Sequence, residues 1–193
     1  MKRKVGLALA LVLMLLAVPR APAAESIKDS ESASHAADSA SYALVDTYAY
    51  SKFKVLQFNL AVLSHYSYLL CSSKECLVVD PGRDVFTYLE VAAKEGVTIK
   101  GVLLTHSHAD FVAGHMELAK ATGCPIFASA SGNQEFPHES LKEGTAIPVG
   151  DVVVRTIETP GHTPDGMTAY VFNDPNDPAP TVLFTGDTLF VGS

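Results

Sequence analysis

The sequence predicts an α/β domain in which short buried strands alternate with helices. Two features carry this prediction: a strand, a helix and a second strand follow one another over residues 76–104, and three strands end in histidine or aspartate. A helix between two strands returns the chain to the same end of the sheet, so the strands pair in parallel. In open α/β sheets, binding sites form beyond the carboxyl ends of such strands.

The domain is preceded by a segment with the order of a secretory signal peptide. Residues 1–4 are basic, residues 5–18 form an almost unbroken apolar run, and residues 21–24 supply small side chains for cleavage. The apolar run is short for a membrane span, which needs about 20 residues. We therefore predict a signal peptide over residues 1–24, export to the periplasm or the cell exterior, and no stable membrane insertion after cleavage. A retained membrane anchor is the alternative.

Residues 25–47 are predicted to be a flexible tether, because residues 25–41 are rich in serine, alanine and charge and offer little to bury. The folded domain is expected over residues 48–193. Signal cleavage would remove four of the 14 basic residues and none of the 21 acidic ones. So acidic a domain is poorly suited to neutralise phosphates, and nucleic-acid binding is not expected.

Apolar patterning and turn residues define the elements of the domain in order. Two stretches have helical spacing, residues 85–95 and residues 111–122, and a glycine directly follows each of them. Other apolar runs have strand character and are bounded by turn residues. These predicted strands are residues 53–63, 65–70, 76–79, 97–104, 124–128, 146–149, 152–158, 168–172 and 182–185.

Cys71 and Cys76 flank a polar stretch between two of the predicted strands. They could face each other across a hairpin, and an exported protein meets an oxidising compartment, which favours a disulfide. The alternative is two ordinary strand cysteines, because a directly opposite pair often has poor bridging geometry. Cys124 would then be left over and is expected to be buried.

Residues that bind metals follow three of the predicted strands. His106, His108 and Asp110 alternate with small residues after the strand that ends at residue 104, and His162 and Asp187 each follow a later strand. Imidazole nitrogens and carboxylate oxygens are the usual ligands of zinc and non-haem iron. Three strand ends that supply such ligands together predict a metal site.

These segments resemble the metal-binding motifs of the metallo-β-lactamase superfamily. The matching segments are residues 105–110, 159–163 and 184–188, and residues 78–82 match a further segment whose aspartate, here Asp80, is usually structural. The resemblance covers about residues 53–193 and implies an α/β fold of the αββα sandwich type, with the metal site along one edge of the sheets. The family continues beyond the last motif, so we expect a fold truncated at its C-terminus.

The residue after Asp110 distinguishes two kinds of site within that family. Many two-metal hydrolases have a second histidine there, whereas this chain has Phe111, which cannot coordinate a metal. His108 and Asp110 could still hold a weak second ion. The site is nevertheless expected to favour one metal over the two zinc ions of glyoxalase II-like enzymes.

Residues 108–115 are most similar to the bacterial persulfide dioxygenase branch of the family. Members of that branch hold one ferrous ion by two histidines and one aspartate, which implies His106, His162 and Asp187 as the ligands here. His108 would orient a ligand or an iron-bound water. The implied reaction is the oxidation of glutathione persulfide, or of a similar thiol persulfide, to sulfite.

Two alternatives to this function come from the same motifs. A zinc-dependent hydrolase of thioesters, similar to hydroxyacylglutathione hydrolases, or of β-lactams would use the same ligands, with Asp110 holding or orienting the water. A non-catalytic metal-binding protein is the second alternative. His65, His115 and His138 lie apart from the motifs or in a helix and are expected to have packing roles.

Overall fold

The computed structural model describes residues 42–60, 63 and 65–190. The predicted signal peptide and residues 25–41 of the predicted tether lie outside the described residues. The strands are β1 (Ala43–Ala49), β2 (Lys54–Leu60), β3 (His65–Ser72), β4 (Glu75–Val79), β5 (Thr98–Leu103), β6 (Ile126–Ser129), β7 (Glu139–Leu141), β8 (Ala146–Val149), β9 (Val152–Glu158), β10 (Met167–Val171) and β11 (Val182–Phe184). The helices are α1 (Phe86–Glu95) and α2 (His115–Thr122), and a short 3-10 turn spans Gly186–Thr188.

The strands form two sheets that pack face to face. Strands β1 to β7 make one sheet in sequence order, and β11, β10, β9 and β8 make the second. Leu70 and Leu103 of the first sheet lie in one apolar core with Val154 and Ala169 of the second. This inter-sheet core buries the apolar faces that the two sheets turn toward each other.

Both α-helices of the described chain cover the other face of the seven-stranded sheet. Tyr88 and Ala92 of α1 and Leu118 of α2 pack there against Phe58 and Val102. The resulting helix, sheet and sheet layers correspond to three layers of the expected αββα sandwich. No helix in the described part of the chain is long and apolar enough to cross a bilayer.

The predicted strand, helix and strand unit is present as β4, α1 and β5. Strand β4 pairs in parallel with β5, and Val79 lies opposite Leu103 at their carboxyl ends. Four successive residues of β4 are buried because the strand is covered on both faces. In the second sheet β9 shows the contrasting pattern, with Val152 and Val154 buried and Val153 exposed. The metal motifs therefore follow strands whose positions are set by burial.

The folded domain begins earlier than the sequence predicted. Strand β1 begins at Ala43, within residues 25–47 that were expected to be a tether, and pairs antiparallel with β2. Tyr42, just before it, is buried and forms a 2.6 Å hydrogen bond with Nδ1 of His65. Strand β1 is an edge strand with mostly exposed side chains, so its pairing depends on backbone hydrogen bonds and leaves no apolar pattern to read.

Two other elements differ from the predictions. Helix α2 begins at His115, four residues later than predicted, because Ala113 forms a β-bridge with Gly82 and the Gly114 N–H donates to the carbonyl of Pro81 at 2.9 Å. Strand β7 was not predicted, since only Leu141 of its three residues is buried. Both differences come from backbone contacts with distant segments.

We predict that Tyr88→Phe lowers the free energy of unfolding by about 1–3 kcal/mol. The buried Tyr88 hydroxyl hydrogen-bonds with Ser67 Oγ at 2.6 Å and accepts from the Gly82 N–H at 3.0 Å, and both groups would lose their partner. Urea denaturation followed by circular dichroism measures the change. Tyr66→Phe is the matched control, because Tyr66 is exposed; equal effects of the two substitutions would contradict the prediction.

Candidate metal centre

Three of the predicted metal-binding residues meet at one edge of the two sheets. His106 follows β5, His162 follows β9, and Asp187 lies in the 3-10 turn after β11. Their potential ligand atoms all lie within 4.8 Å of one another. Oδ2 of Asp187 is 3.8 Å from Nε2 of His106 and 3.5 Å from Nε2 of His162. Residues far apart in the chain are thus brought together by the ends of three strands.

The orientation of His106 is fixed by Thr105 and Asp80. The Thr105 hydroxyl lies 2.7 Å from Oδ2 of Asp80 and 3.0 Å from Nδ1 of His106. The buried carboxylate accepts the only hydroxyl proton, so the hydroxyl oxygen accepts in turn from Nδ1–H of His106. The lone pair of His106 is therefore on Nε2, the nitrogen that faces Asp187.

The three candidate ligands differ in their exposure. The His106 side chain is 5% exposed, whereas His162 is 54% and Asp187 37% exposed. Burial, and then the neighbouring His108, lower the pKa of His106, which keeps its imidazole neutral. The arrangement offers one anchored nitrogen and an open side through which a small molecule can approach.

The donor set of this triad fits a divalent metal ion. Two imidazole nitrogens and one carboxylate oxygen are suitable for either ferrous iron or zinc, and three protein ligands leave coordination positions for a substrate or water. The triad contains one carboxylate and two histidines. A divalent cation would attract all three groups at once, whereas without it a proton would have to lie between the carboxylate and an imidazole.

His108 and Asp110 lie outside this group of ligand atoms. Nε2 of His108 is 3.1 Å from Oδ1 of the buried Asp80, although the two groups are not aligned as a regular hydrogen bond. Burial opposes protonation of His108, but the carboxylate of Asp80, together with the charges of Asp110 and Asp187, outweighs burial and raises the pKa of His108. Asp110 is exposed. The structure thus places His108 behind the triad and Asp110 at the surface, and the catalytic roles predicted for both stay predictions.

An aromatic wall stands beside His108. The ring of Phe111 lies 4.5 Å from that of His108 and 3.9 Å from that of His65, measured between centroids. His65 is hydrogen-bonded to Tyr42, and burial lowers its pKa to about 4. His65 therefore has the packing role that was expected, as part of this aromatic wall. The sequence did not indicate that His65 lies near the candidate metal centre.

A small cavity of about 190 Å³ opens next to His106 and His108. Its lining combines apolar and polar side chains without a lysine or arginine. The lining residues are Leu104, His106, Ser107, His108, Phe111, Ala113, His115, Gln134 and Phe136. The cavity gives room for a small uncharged group beside the candidate metal.

Asp165 is a site residue that the sequence analysis missed. Its buried carboxylate accepts hydrogen bonds from the Ser107 N–H at 2.9 Å and from the Ser107 hydroxyl at 2.5 Å. It thereby ties the loop of His162 to the loop of His106. Burial opposes ionisation, but the hydrogen bonds to the carboxylate, with that of the Ser107 hydroxyl as the largest contribution, together outweigh burial and lower the pKa of Asp165. The only signal in the sequence was that Asp165 lies two residues after the end of the histidine motif of residues 159–163.

Gly186 allows the loop of Asp187 to approach His106. Its φ of 48° is in the left-handed region, and a Cβ atom there would lie 2.5 Å from Thr105 Oγ1 and 3.1 Å from His106 Nδ1. A side chain at this position would push apart the two groups that orient His106. Glycine is therefore required by both backbone conformation and space.

Comparison with known proteins agrees with this geometry. Residues 60–193 match the family described as the metallo-beta-lactamase superfamily. The chain belongs to this superfamily. The match confirms the predicted family and its sandwich fold, and in this superfamily the triad lies where a divalent metal is expected.

Relatives in the superfamily resemble the chain over part of their length. The hydroxyacylglutathione hydrolase of Methylobacillus flagellatus is 35% identical over 133 residues, which cover 68% of this chain and 50% of that protein. The structure of a metallo-beta-lactamase from Staphylococcus aureus aligns with a TM-score of 0.68 at 32% identity, over 74% of this chain and 45% of that one. ETHE1 from Myxococcus xanthus aligns with a TM-score of 0.62 at 27% identity, over 70% and 57%. The chain spans about half or less of the length of the curated relatives it matches.

We predict that Gly186→Ala weakens metal binding roughly 10–100-fold, the range found for disturbed groups behind metal ligands. The new Cβ would displace Thr105 and His106. Competition titration with a chromophoric chelator measures the affinity for zinc. Gly161→Ala is the matched control, because a Cβ at Gly161 would meet nothing within 4 Å; a similar loss in both variants would refute the role of Gly186.

We predict that Asp165→Asn lowers the free energy of unfolding at neutral pH by about 1–3 kcal/mol, because Ser107 loses a charged acceptor. The pKa of Asp165 is below its ordinary value of 3.8 in the folded state. Its contribution is therefore present above that pH and lost as the pH falls through the folded-state pKa. Denaturation curves from neutral to acid pH should converge for the two proteins, with Asp110→Asn as an exposed control. Curves that stay parallel would contradict the assignment.

Proposed function

We propose that this chain provides the metal site of an enzyme that oxidises a small thiol persulfide to sulfite. One ferrous ion held by His106, His162 and Asp187 would serve as its metal. The proposal rests on the similarity of residues 108–115 to persulfide dioxygenases and on the geometry of the triad. Because the chain spans only part of its relatives, the activity of the whole protein belongs to the proposal.

The single observation that carries the proposal is the wall formed by Phe111 next to His108. Phe111 packs on His108 and His65 and offers no ligand atom, while His108 lies against Asp80. A second metal position beside the triad would have few ligands other than the exposed Asp110 and the shared Asp187. Such a site favours chemistry that needs one metal ion with open positions.

The proposed reaction is balanced without a further reductant. One persulfide, one O2 and one water give one thiol, one sulfite and two protons, and the electrons lost by the terminal sulfur are taken up by O2. A ferrous ion would supply the activation of O2 and a binding position for sulfur. The residues of this chain would orient the ligands, through Thr105 and Asp80, and provide the small cavity for the sulfur substituent.

Thioester hydrolysis is the second candidate function, and the names of the relatives favour it. The curated relatives are named hydroxyacylglutathione hydrolases. A zinc ion in the same triad would supply Lewis-acid activation of water. Here the exposed Asp110 would hold or orient that water. The relatives thus support hydrolysis, while Phe111, which offers no ligand atom for a second ion, supports oxidation.

We also propose that the protein is exported, on the basis of the signal-peptide order of residues 1–24. An exported enzyme would meet a thiol other than the glutathione of the cytoplasm. Mass spectrometry of the N-terminus of protein recovered from a bacterial periplasm tests this proposal. An N-terminus near residue 25 supports export, and an uncleaved chain retained in the cytoplasm contradicts it.

We predict one iron per chain when the protein is expressed in iron-replete cells and purified without oxygen, and loss of that iron in His162→Ala. Elemental analysis gives the count. The metal-loaded parent should then consume O2 with glutathione persulfide and release sulfite, and show little hydrolysis of lactoylglutathione. Two zinc ions per chain, together with thioester hydrolysis and no O2 uptake, would contradict persulfide oxidation and favour thioester hydrolysis.

The role of Phe111 is tested by Phe111→His, with Phe111→Leu as the apolar control. We predict that the histidine variant takes up more zinc than the parent, because a new imidazole joins His108 and Asp110, and that the leucine variant does not. Equal zinc counts in all three proteins would show that Phe111 does not determine the number of metals.

A further inference from the structure

We propose that Cys71 and Cys76 form a disulfide bond with each other. The bond forms by exchange with a small disulfide while the chain folds. Both thiols are free in the structure. The two residues lie directly opposite each other in the antiparallel pair of β3 and β4. This proposal is independent of the proposed function, since the pair is not part of the candidate metal centre.

The hairpin places the two thiols in the pair geometry with the shortest separation. Ser72 and Glu75 are the last facing pair, and only Ser73 and Lys74 connect them. A two-residue turn makes its closing pair the hydrogen-bonded one, so the next pair, Cys71 and Cys76, is not hydrogen-bonded through the backbone. The Cα atoms of such a pair are about 4.5 Å apart, which is just within the range of about 4.4–6.8 Å seen for disulfides.

The turn itself holds the strands in this register. Ser73 has a φ of 52°, in the left-handed region that turns of the primed type require at their first central residue. The Ser72 hydroxyl donates to the carbonyl of Lys52 at 2.7 Å and accepts from the Asp151 N–H at 3.0 Å. The turn is therefore anchored on both sides, and a slip that would separate Cys71 from Cys76 is opposed.

Both thiols point into the core between the large sheet and the helices. Cys71 and Cys76 are buried, and the partly buried Cys124 packs against the same cluster. Strand β5 lies between β4 and β6, which follows Cys124. Two strand spacings put the Cα atoms of Cys76 and Cys124 roughly 10 Å apart, beyond bridging distance. The register thus selects Cys71 as the partner of Cys76.

Burial decides when the bond can form. The contact with the Cys71 thiol, and then burial, raise the pKa of the Cys76 thiol, so the folded pair contains little thiolate. Exchange needs a thiolate, which is available before the core closes. One thiolate attacks the small disulfide and releases one small thiol. The second cysteine then attacks the mixed disulfide, forms the Cys71–Cys76 bond and releases the second small thiol.

The test is to refold the full reduced chain in a mixture of oxidised and reduced glutathione and to count thiols in denaturant. We expect two of the three thiols to be lost, a mass decrease of two hydrogens, and a linked peptide pair containing Cys71 and Cys76. Dithiothreitol should restore all three thiols. Three free thiols after oxidative refolding, or stable glutathione adducts on Cys71 or Cys76, would overturn the proposal.

Two variants keep the test decisive. Cys124→Ser should still lose both of its remaining thiols, whereas Cys71→Ser should keep both, because Cys76 and Cys124 are too far apart to bridge. Circular dichroism verifies that each variant folds. A disulfide between Cys76 and Cys124 in the parent protein, or loss of both thiols in Cys71→Ser, would show that the strand register does not choose the pair.

Discussion

The buried carboxylate of Asp80 connects most of the parts on which the candidate metal centre depends. It follows β4, has a φ of 48°, and accepts hydrogen bonds from the Thr105 N–H at 2.8 Å and the Thr105 hydroxyl at 2.7 Å. The carboxylate also contacts Nε2 of His108 through Oδ1. Burial works to raise the pKa of Asp80, but His108 and Thr105 outweigh burial and lower it. A single ionised group thereby fixes the tautomer of His106 and contacts His108, whose ring lies 3.9 Å from that of His106 between centroids.

The second sheet contributes to the same centre through short contacts at its edge. The Met167 N–H donates to the Thr105 carbonyl at 2.8 Å, and Asp165 binds Ser107 on the other side of His106. The first of the three candidate ligands therefore lies in a loop held by both sheets. His162 and Asp187 reach it from the second sheet, so the packing of the two sheets determines whether the triad exists at all.

The environment of His108 separates the two functions considered for this superfamily member. A histidine that lies against a buried carboxylate and an aromatic ring is poorly available to a second metal ion. Two relatives that are 39% and 35% identical over the aligned residues are named hydroxyacylglutathione hydrolases. The proposed difference in function rests on a few side chains around Phe111, and local substitutions of this kind are how one fold carries different chemistries.

The sequence by itself determined the family, the parallel unit of β4, α1 and β5, and the identity of the triad. Apolar runs, turn residues and metal-binding residue types are local signals, and each of them is visible in a short stretch of chain. Strand β1, the late start of α2 and the role of Asp165 were decided only by the tertiary structure. Their partners are β2, Gly82 and Ser107, which lie elsewhere in the sequence. Backbone pairing and buried hydrogen bonds to distant residues leave no periodic pattern, so no local reading of the chain can contain them.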